Sequence, residues 1–369
     1  MKVLFEELAG PHRAGGIEAA TCGLIAGLVK QGVLVTRTFA DGVPPVGFFP
    51  DCVHLHGIWS PTLAWRFLGW RLRGVPCVVT LHGMLEPWAL AHKALKKKVA
   101  WNIYQKGLLN MASVLHATSE REAANLRKLG LKRPIAMIPW GVEMANEGDQ
   151  RIGNRGQREA VSHCCHFSLV QNSNSKIQNQ TRTALFVGRI HPVKGLPILV
   201  EAWAKVRPEG WKMLIVGPDE AGHLAQVQEL VQRAGLGGEF VFTGPLSGAL
   251  LQDAYRDAHL CIQPSYTENF GIAIAEAMSH RLPVITTHGA PWKLLDEERC
   301  GWWVPVSVEG IASALDQARR SSPEALTAMG ARGRAVIVDR FAWEPISGEF
   351  ANCYRWLLRK CEKPRCVID

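Results

Sequence analysis

The stretch PSYTENFGIAIAEAMSH, residues 264–280, carries glutamates at 268 and 276 on either side of a strand-to-helix junction. The apolar run Leu260-Cys261-Ile262-Gln263-Pro264 reads as a buried strand, and Ile272 to Met278 as the opening of a helix. Glu268 and Asn269 fall on the turn between them. Phe270 and Gly271 then present backbone N–H groups at a helix N-terminus, with Glu276 about one and a half turns further on. Unpaired amides beside a positive helix dipole suit a phosphate, and a carboxylate on either side suits sugar hydroxyls. The competing reading has Glu268 as a helix cap and Glu276 in solvent.

Upstream, FVGRIHPVKG at 186–195 is a strand that ends in Gly188 and is followed by Arg189 and Lys194, with a helix over 197–206. Strand, two cations and helix suit a diphosphate held at the carboxyl edge of a parallel sheet. Near the N-terminus Gly15-Gly16 follows the first strand and opens a helix, the context of a phosphate-binding turn, although two glycines form an ordinary turn as readily.

The series FVGRIHPVKG, LIVGPDE, FTGPLS, PSYTENFGIAIAEAM and LPVITT resembles the donor half of the retaining family-four glycosyltransferases of GT-B fold. The early Gly-Gly loop, HLHGIWSP, TLHGMLEPWAL, LHATSEREA and IAMIPWGVE resemble that family's acceptor half. In detail these last segments are most similar to bacterial enzymes that build exopolysaccharide or lipopolysaccharide.

The resemblance implies an α/β chain with two doubly wound, Rossmann-like domains facing across a cleft. An acceptor-side domain would occupy 1–145, a polar linker 146–182, a nucleotide-sugar-binding domain 183–340, and a helix within 341–369 would cross back onto the first domain. The implied activity is transfer of a hexosyl group, with retention, from a nucleotide-diphosphate sugar to a saccharide or lipid-linked saccharide of a bacterial surface polysaccharide. No metal and no cofactor beyond the donor substrate are implied. Residue by residue, Arg189 and Lys194 would hold the leaving diphosphate, assisted by Gly15, Gly16, Gly188 and the amides of Phe270 and Gly271. Glu268 would contact donor-sugar hydroxyls and Glu276 the ribose, with Asn269 and Ile272 lining the donor pocket. His82 would stand beside the donor sugar, so that Glu268, His82, Arg189 and Lys194 form the catalytic set.

His82 also ends an apolar strand, which by itself points it at the cleft or leaves it satisfied by backbone. His54 and His56 alternate with Leu55, so one strand face carries both, as acceptor-side groups or as packed ones. Glu120 follows Thr118-Ser119 in the first turn of a helix and is a third acceptor-side candidate. Three positions depart from the family pattern: Trp140 for Asn, Arg281 for a helix-ending Gly, and Gly289-Ala290-Pro291-Trp292 for a glycine-rich turn. Arg281 must adopt the left-handed conformation or shorten its helix, and Trp292 would reshape the nucleotide pocket.

At 369 residues the chain exceeds what one core serves, and 47% hydrophobic with 20% charged residues is ordinary for a globular protein. No stretch approaches the roughly 20 apolar residues of a membrane-spanning helix, and MKVLFEELAG lacks a secretory apolar region, which gives a cytoplasmic expectation. The ten cysteines are scattered, several in apolar runs, as buried thiols in a reducing compartment are. His163-Cys164-Cys165-His166 lacks the spacing of zinc ligands. Residues 1–145 carry 17 Lys and Arg against 9 Asp and Glu, a net +8 of the total +9. That suits an anionic membrane surface or an acidic acceptor, whereas no helix-turn-helix, zinc finger or aromatic RNA-binding signature accompanies it. The lysine-rich segment 92–109 places Leu95, Val99 and Ile103 on one stripe, facing either the core or a peripheral membrane surface. No G-x-G-x-x-G follows the first strand, which disfavours a dehydrogenase. A sugar-nucleotide epimerase or a non-catalytic partner subunit of the same fold is the alternative to a glycosyltransferase.

Overall fold

The computed structural model describes residues 1–8, 16–39, 42, 47–91, 94–145, 181–220 and 222–369. Gly15, the His163–His166 cluster and most of the expected linker lie outside them. Strands β1 (Lys2–Glu7), β2 (Leu34–Phe39), β3 (Cys52–His56), β4 (Cys77–Thr80), β5 (Val114–Ala117) and β6 (Ile135–Met137) belong to one sheet. Strands β7 (Arg182–Val187), β8 (Trp211–Val216), β9 (Phe240–Gly244), β10 (Leu260–Gln263), β11 (Val284–Thr287) and β12 (Gly301–Val304) form a second. A two-residue strand, β13 (Val367–Ile368), returns to the first sheet. The orders are β13-β6-β5-β4-β3-β1-β2 and β12-β11-β10-β7-β8-β9. Every pairing is parallel except β13 on β6.

The alternating apolar strands and amphipathic helices make this the α/β arrangement expected, with two Rossmann-like sheets. β3, β4, β5 and β10 are buried at every position, as helices on both faces of a parallel sheet require. Strand order reverses between β1 and β3 in the first sheet and between β7 and β10 in the second. Ligands of such sheets bind outside the strand ends at these reversals, and Gly188 and Pro264 lie there in the second sheet.

The helix Trp343–Leu357 lies against the helix Gly16–Lys30 of the first sheet's layer. Its seat is made by glycines: a Cβ on Gly23 would lie 2.2 Å from the Trp343 ring, and one on Gly27 2.6 Å from Ser347. The helix begins at Trp343, and Pro345 falls in its first turn, where no N–H is needed. Arg281 adopts the left-handed conformation (φ 61°), and the preceding helix stops at Ser279. Leu95, Val99 and Ile103 are 78, 50 and 75% exposed, which overturns the core-facing reading of their stripe. No described helix is long and apolar enough to cross a membrane.

Candidate active site

Glu268 lies on the loop between β10 and the helix Ile272–Ser279. Its Oε1 accepts hydrogen bonds from Lys194 Nζ and Ser265 Oγ, each at 2.6 Å. Lys194 comes from a short 3-10 turn, Pro192–Lys194, which Gly195 closes at φ 68°. Only glycine fits there, since a Cβ would lie 2.1 Å from the Pro264 carbonyl oxygen. A Cβ on Gly188, just past β7, would lie 3.3 Å from the Phe186 ring and 3.8 Å from the Lys194 stem. Arg189 turns outward and pairs with Glu220 at 2.5 Å, its side chain half exposed. The two cations thus reach the same strand ends, and each is held by a glutamate.

Among the described residues the N–H groups of Asn269, Phe270, Gly271 and Ile272 donate to nothing. They form a row of free amides beside Glu268. One turn further along the helix Glu276 is half-buried, and its Oε2 accepts the Tyr255 hydroxyl at 2.8 Å. Burial raises the Glu276 carboxyl above its ordinary range, and the Tyr255 hydrogen bond opposes that rise. Glu276 is therefore neither solvent-facing nor fully free: one oxygen is committed to the protein.

The first sheet faces this loop. A Cβ on Gly16 would touch Ile272 at 3.0 Å, and one on Gly83 would touch Asn269 at 3.0 Å. His82 sits beside Gly83 at φ 49°, a left-handed backbone that a non-glycine residue adopts only when its surroundings hold it. Its ring stacks on Trp140 at 5.5 Å and 10°, and its Nε2 meets His56 Nδ1 at 3.2 Å. Burial lowers His82 to about 3. The Trp140 departure thus supplies the surface on which His82 lies.

His54 is withdrawn from the acceptor side. It is fully buried, and both ring nitrogens are spent: Nδ1 on Tyr354 and Nε2 on Thr80, each at 2.7 Å. Thr80 Oγ1 meets His116 Nδ1 at 2.8 Å, and His116 Nε2 meets the Ile138 carbonyl at 2.7 Å. A carbonyl only accepts, which fixes every proton in the chain. His116 donates from Nε2, Thr80 donates to His116, His54 donates from Nε2 to Thr80, and Tyr354 donates to His54. His56 is nearly as buried, with its Nε2 unpartnered, and Glu120 is exposed in its helix's first turn.

Four contributors, Glu122, Arg121, Tyr255 and Ser265, had no sequence signal beyond residue type. Glu122 is buried in the helix Glu120–Lys128 and accepts the N–H groups of Gly83 and Thr118. Arg121 crosses to the second sheet's loops, donating to the carbonyls of Gly289 (2.6 Å) and Glu268. Tyr255 and Ser265 hold the two glutamates. Trp292, buried, donates from Nε1 to the Phe270 carbonyl at 2.5 Å, so it shapes the loop from behind. No group of three His, Cys, Asp or Glu among the described residues is placed to hold a metal ion.

Two family profiles match the chain: "Glycosyl transferase 4-like domain" over residues 37–141 and "Glycosyl transferases group 1" over residues 181–320. The chain is similar to D-inositol 3-phosphate glycosyltransferase of Segniliparus rotundus, 27% identical over 336 residues that cover 85% of this chain and 70% of that one. In fold it is similar to a sucrose-phosphate synthase of Thermosynechococcus elongatus, with a TM-score of 0.74 at 21% identity over 98% of this chain and 100% of the other. It is also similar to Anabaena HepE in complex with UDP and glucose, with a TM-score of 0.69 at 18% identity over 96% and 99%. Both halves of the chain, each matched by its own profile and built on its own parallel sheet, identify it as a member of the group 1 glycosyltransferases, of GT-B fold.

Proposed function

We propose that the chain transfers a sugar, with retention, from a nucleoside-diphosphate sugar bound at the second sheet to a saccharide or lipid-linked saccharide bound at the first, in the assembly of a surface polysaccharide. The observation that carries the donor half is the row of four free amides running from Glu268 to Glu276. A leaving diphosphate gains negative charge, and preplaced amides with Lys194 and Arg189 beside them stabilise that charge most in the transition state. The free oxygen of Glu276 accepts a ribose hydroxyl, while Glu268 accepts from the sugar and lies near its developing positive charge. HepE, of the same fold, is described with UDP and glucose bound.

On the acceptor side the first domain's net charge of +8 favours an anionic acceptor, and the exposed stripe of Leu95, Val99 and Ile103 among lysines favours delivery at a membrane surface on the cytoplasmic side. The relative's name supports a second acceptor, a phosphorylated polyol such as D-inositol 3-phosphate, which the same charge would attract.

The test is turnover with a panel of nucleotide sugars against lipid-linked acceptors and inositol 3-phosphate, for the native chain and for Glu276→Ala and Lys194→Ala. Each substitution lowers kcat/KM by about tenfold or more, since a charged hydrogen bond in a closed site contributes roughly 1.5 to 3 kcal/mol. Unchanged activity in both folded variants would overturn the site.

A further inference from the structure

Three consecutive carbonyls of the donor loop point away from the amide row, and each has an acceptor role. Arg121 Nη2 donates to Glu268 O, Thr118 Oγ1 lies 3.4 Å from Asn269 O, and Trp292 Nε1 donates to Phe270 O. Thr118 shares its single proton with Glu122 Oε2 at 3.1 Å, so its hold on Asn269 is the weakest of the three. No peptide bond among the described residues is cis. In a trans peptide the C=O and the next residue's N–H are antiparallel, so anchoring Glu268 O aims the Asn269 amide, and anchoring Phe270 O aims the Gly271 amide.

Arg121 does more than hold one carbonyl. Its Nη1 donates to Gly289 O, which also accepts the Glu268 N–H at 2.9 Å. Gly289 is packed against the same loop, where a Cβ would come within 2.4 Å of Tyr266 O. One guanidinium therefore fixes both peptide groups of Glu268, directly on the carbonyl and through Gly289 on the amide. Its Nε is buried near Glu86 Oε2 at 4.0 Å, and that neighbour accepts from Asn125. Arg121 belongs to the helix Glu120–Lys128 of the first sheet's layer, whereas everything it fixes belongs to the second.

We propose that Arg121 is a positioning residue through which the acceptor-side domain aims the amides that receive the donor's diphosphate. This rests on the donor reading above and deepens it: the anion site is complete only when the first domain reaches across. Arg121 itself touches no phosphate. Its loss leaves the Glu276 end of the pocket intact and frees the loop at Glu268, so phosphate recognition weakens while nucleoside recognition does not.

The experiment is an NMR titration of the full chain and of Arg121→Met with UDP, GDP and ADP, and separately with uridine, guanosine and adenosine. Arg121→Met is expected to weaken the preferred diphosphate about tenfold, the size of one or two lost charged hydrogen bonds, and to leave the matching nucleoside unchanged. Unchanged diphosphate binding, or an equal loss for diphosphate and nucleoside in a folded variant, overturns the inference. If the native chain binds none of the three diphosphates, the donor reading falls and this inference with it. Should Arg121→Met fail to fold, Arg121→Gln carries the same expectation under the same comparison.

Discussion

Tyr255 and Glu276 share a 2.8 Å hydrogen bond that joins the helix Gly248–Asp257 to the helix Ile272–Ser279 and leaves only one carboxylate oxygen of Glu276 for a ligand. Burial pushes the Glu276 carboxyl up, and the phenol pulls it down. In Tyr255→Phe the opposing influence is gone, so the carboxyl rises further and is protonated at a higher pH than in the native chain. The acid limb of the kcat/KM profile should move to higher pH, with activity reduced about tenfold near that limb and recovering toward the native value in mild alkali. A profile that drops uniformly, with its limb unmoved, would mean that Tyr255 only packs.

The relay from Tyr354 through His54, Thr80 and His116 to the Ile138 carbonyl makes the returning C-terminal helix sensitive to acid. Burial holds His116 at about 4 and His82 at about 3, and His54 and His56 well below the ordinary histidine value. Unfolding releases these histidines to bind protons below about pH 6.5. Their contribution is therefore complete above that pH and is lost as pH falls toward 4 and below. For His116 alone, a fall from 6.5 to about 4 corresponds to roughly 3 kcal/mol. Urea unfolding at pH 7.5, 6 and 5 should show a steadily falling midpoint, and Tyr354→Phe should cost about 1 to 2 kcal/mol at pH 7.5 by leaving His54 Nδ1 unsatisfied. A midpoint independent of pH would contradict the neutral relay.

What the sequence discloses and what it hides divide by distance along the chain. Strand, turn and helix from Leu260 to Ser279 are legible because apolar strand, glycine and helix start lie within twenty residues and constrain one another. Arg121 and Tyr255 were not legible: one is an ordinary exposed-type residue in a helix's first turn, the other an ordinary aromatic, and each acquires its role from a partner on another element. Local pattern likewise could not separate His54 from His56. They share a face, yet Tyr354, three hundred residues away, closes over the first. β13 is two residues long, too short for any period to show.

With four free amides and two cations at the diphosphate end, leaving-group charge can be met by the chain's own groups, and no aspartates stand in a D-x-D arrangement near it. Turnover should therefore continue in excess EDTA at a rate within about twofold of the untreated enzyme, on the scale of ordinary ionic effects. Complete loss that Mg²⁺ or Mn²⁺ restores would assign the leaving-group chemistry to a metal instead.

The segment from Ala94 to Leu109 carries Lys96, Lys97, Lys98 and Lys106 and no acidic residue, with Leu95, Val99 and Ile103 largely in solvent. Lys97 is turned inward onto the Ala89 carbonyl, which leaves three lysines to meet a surface. The neighbouring helix Pro61–Leu72 adds Trp65 and Leu72, 75 and 78% exposed. Each lysine near an anionic bilayer contributes about 1 kcal/mol, a reversible attachment that salt weakens. Flotation should recover the protein with anionic vesicles at low salt, release it at high salt, and recover little with neutral vesicles. Leu95→Ser with Ile103→Ser should reduce the anionic binding while leaving turnover on a soluble acceptor unchanged, because neither residue approaches the donor loop. Equal and negligible flotation with both vesicle types would leave the basic face to the acceptor alone.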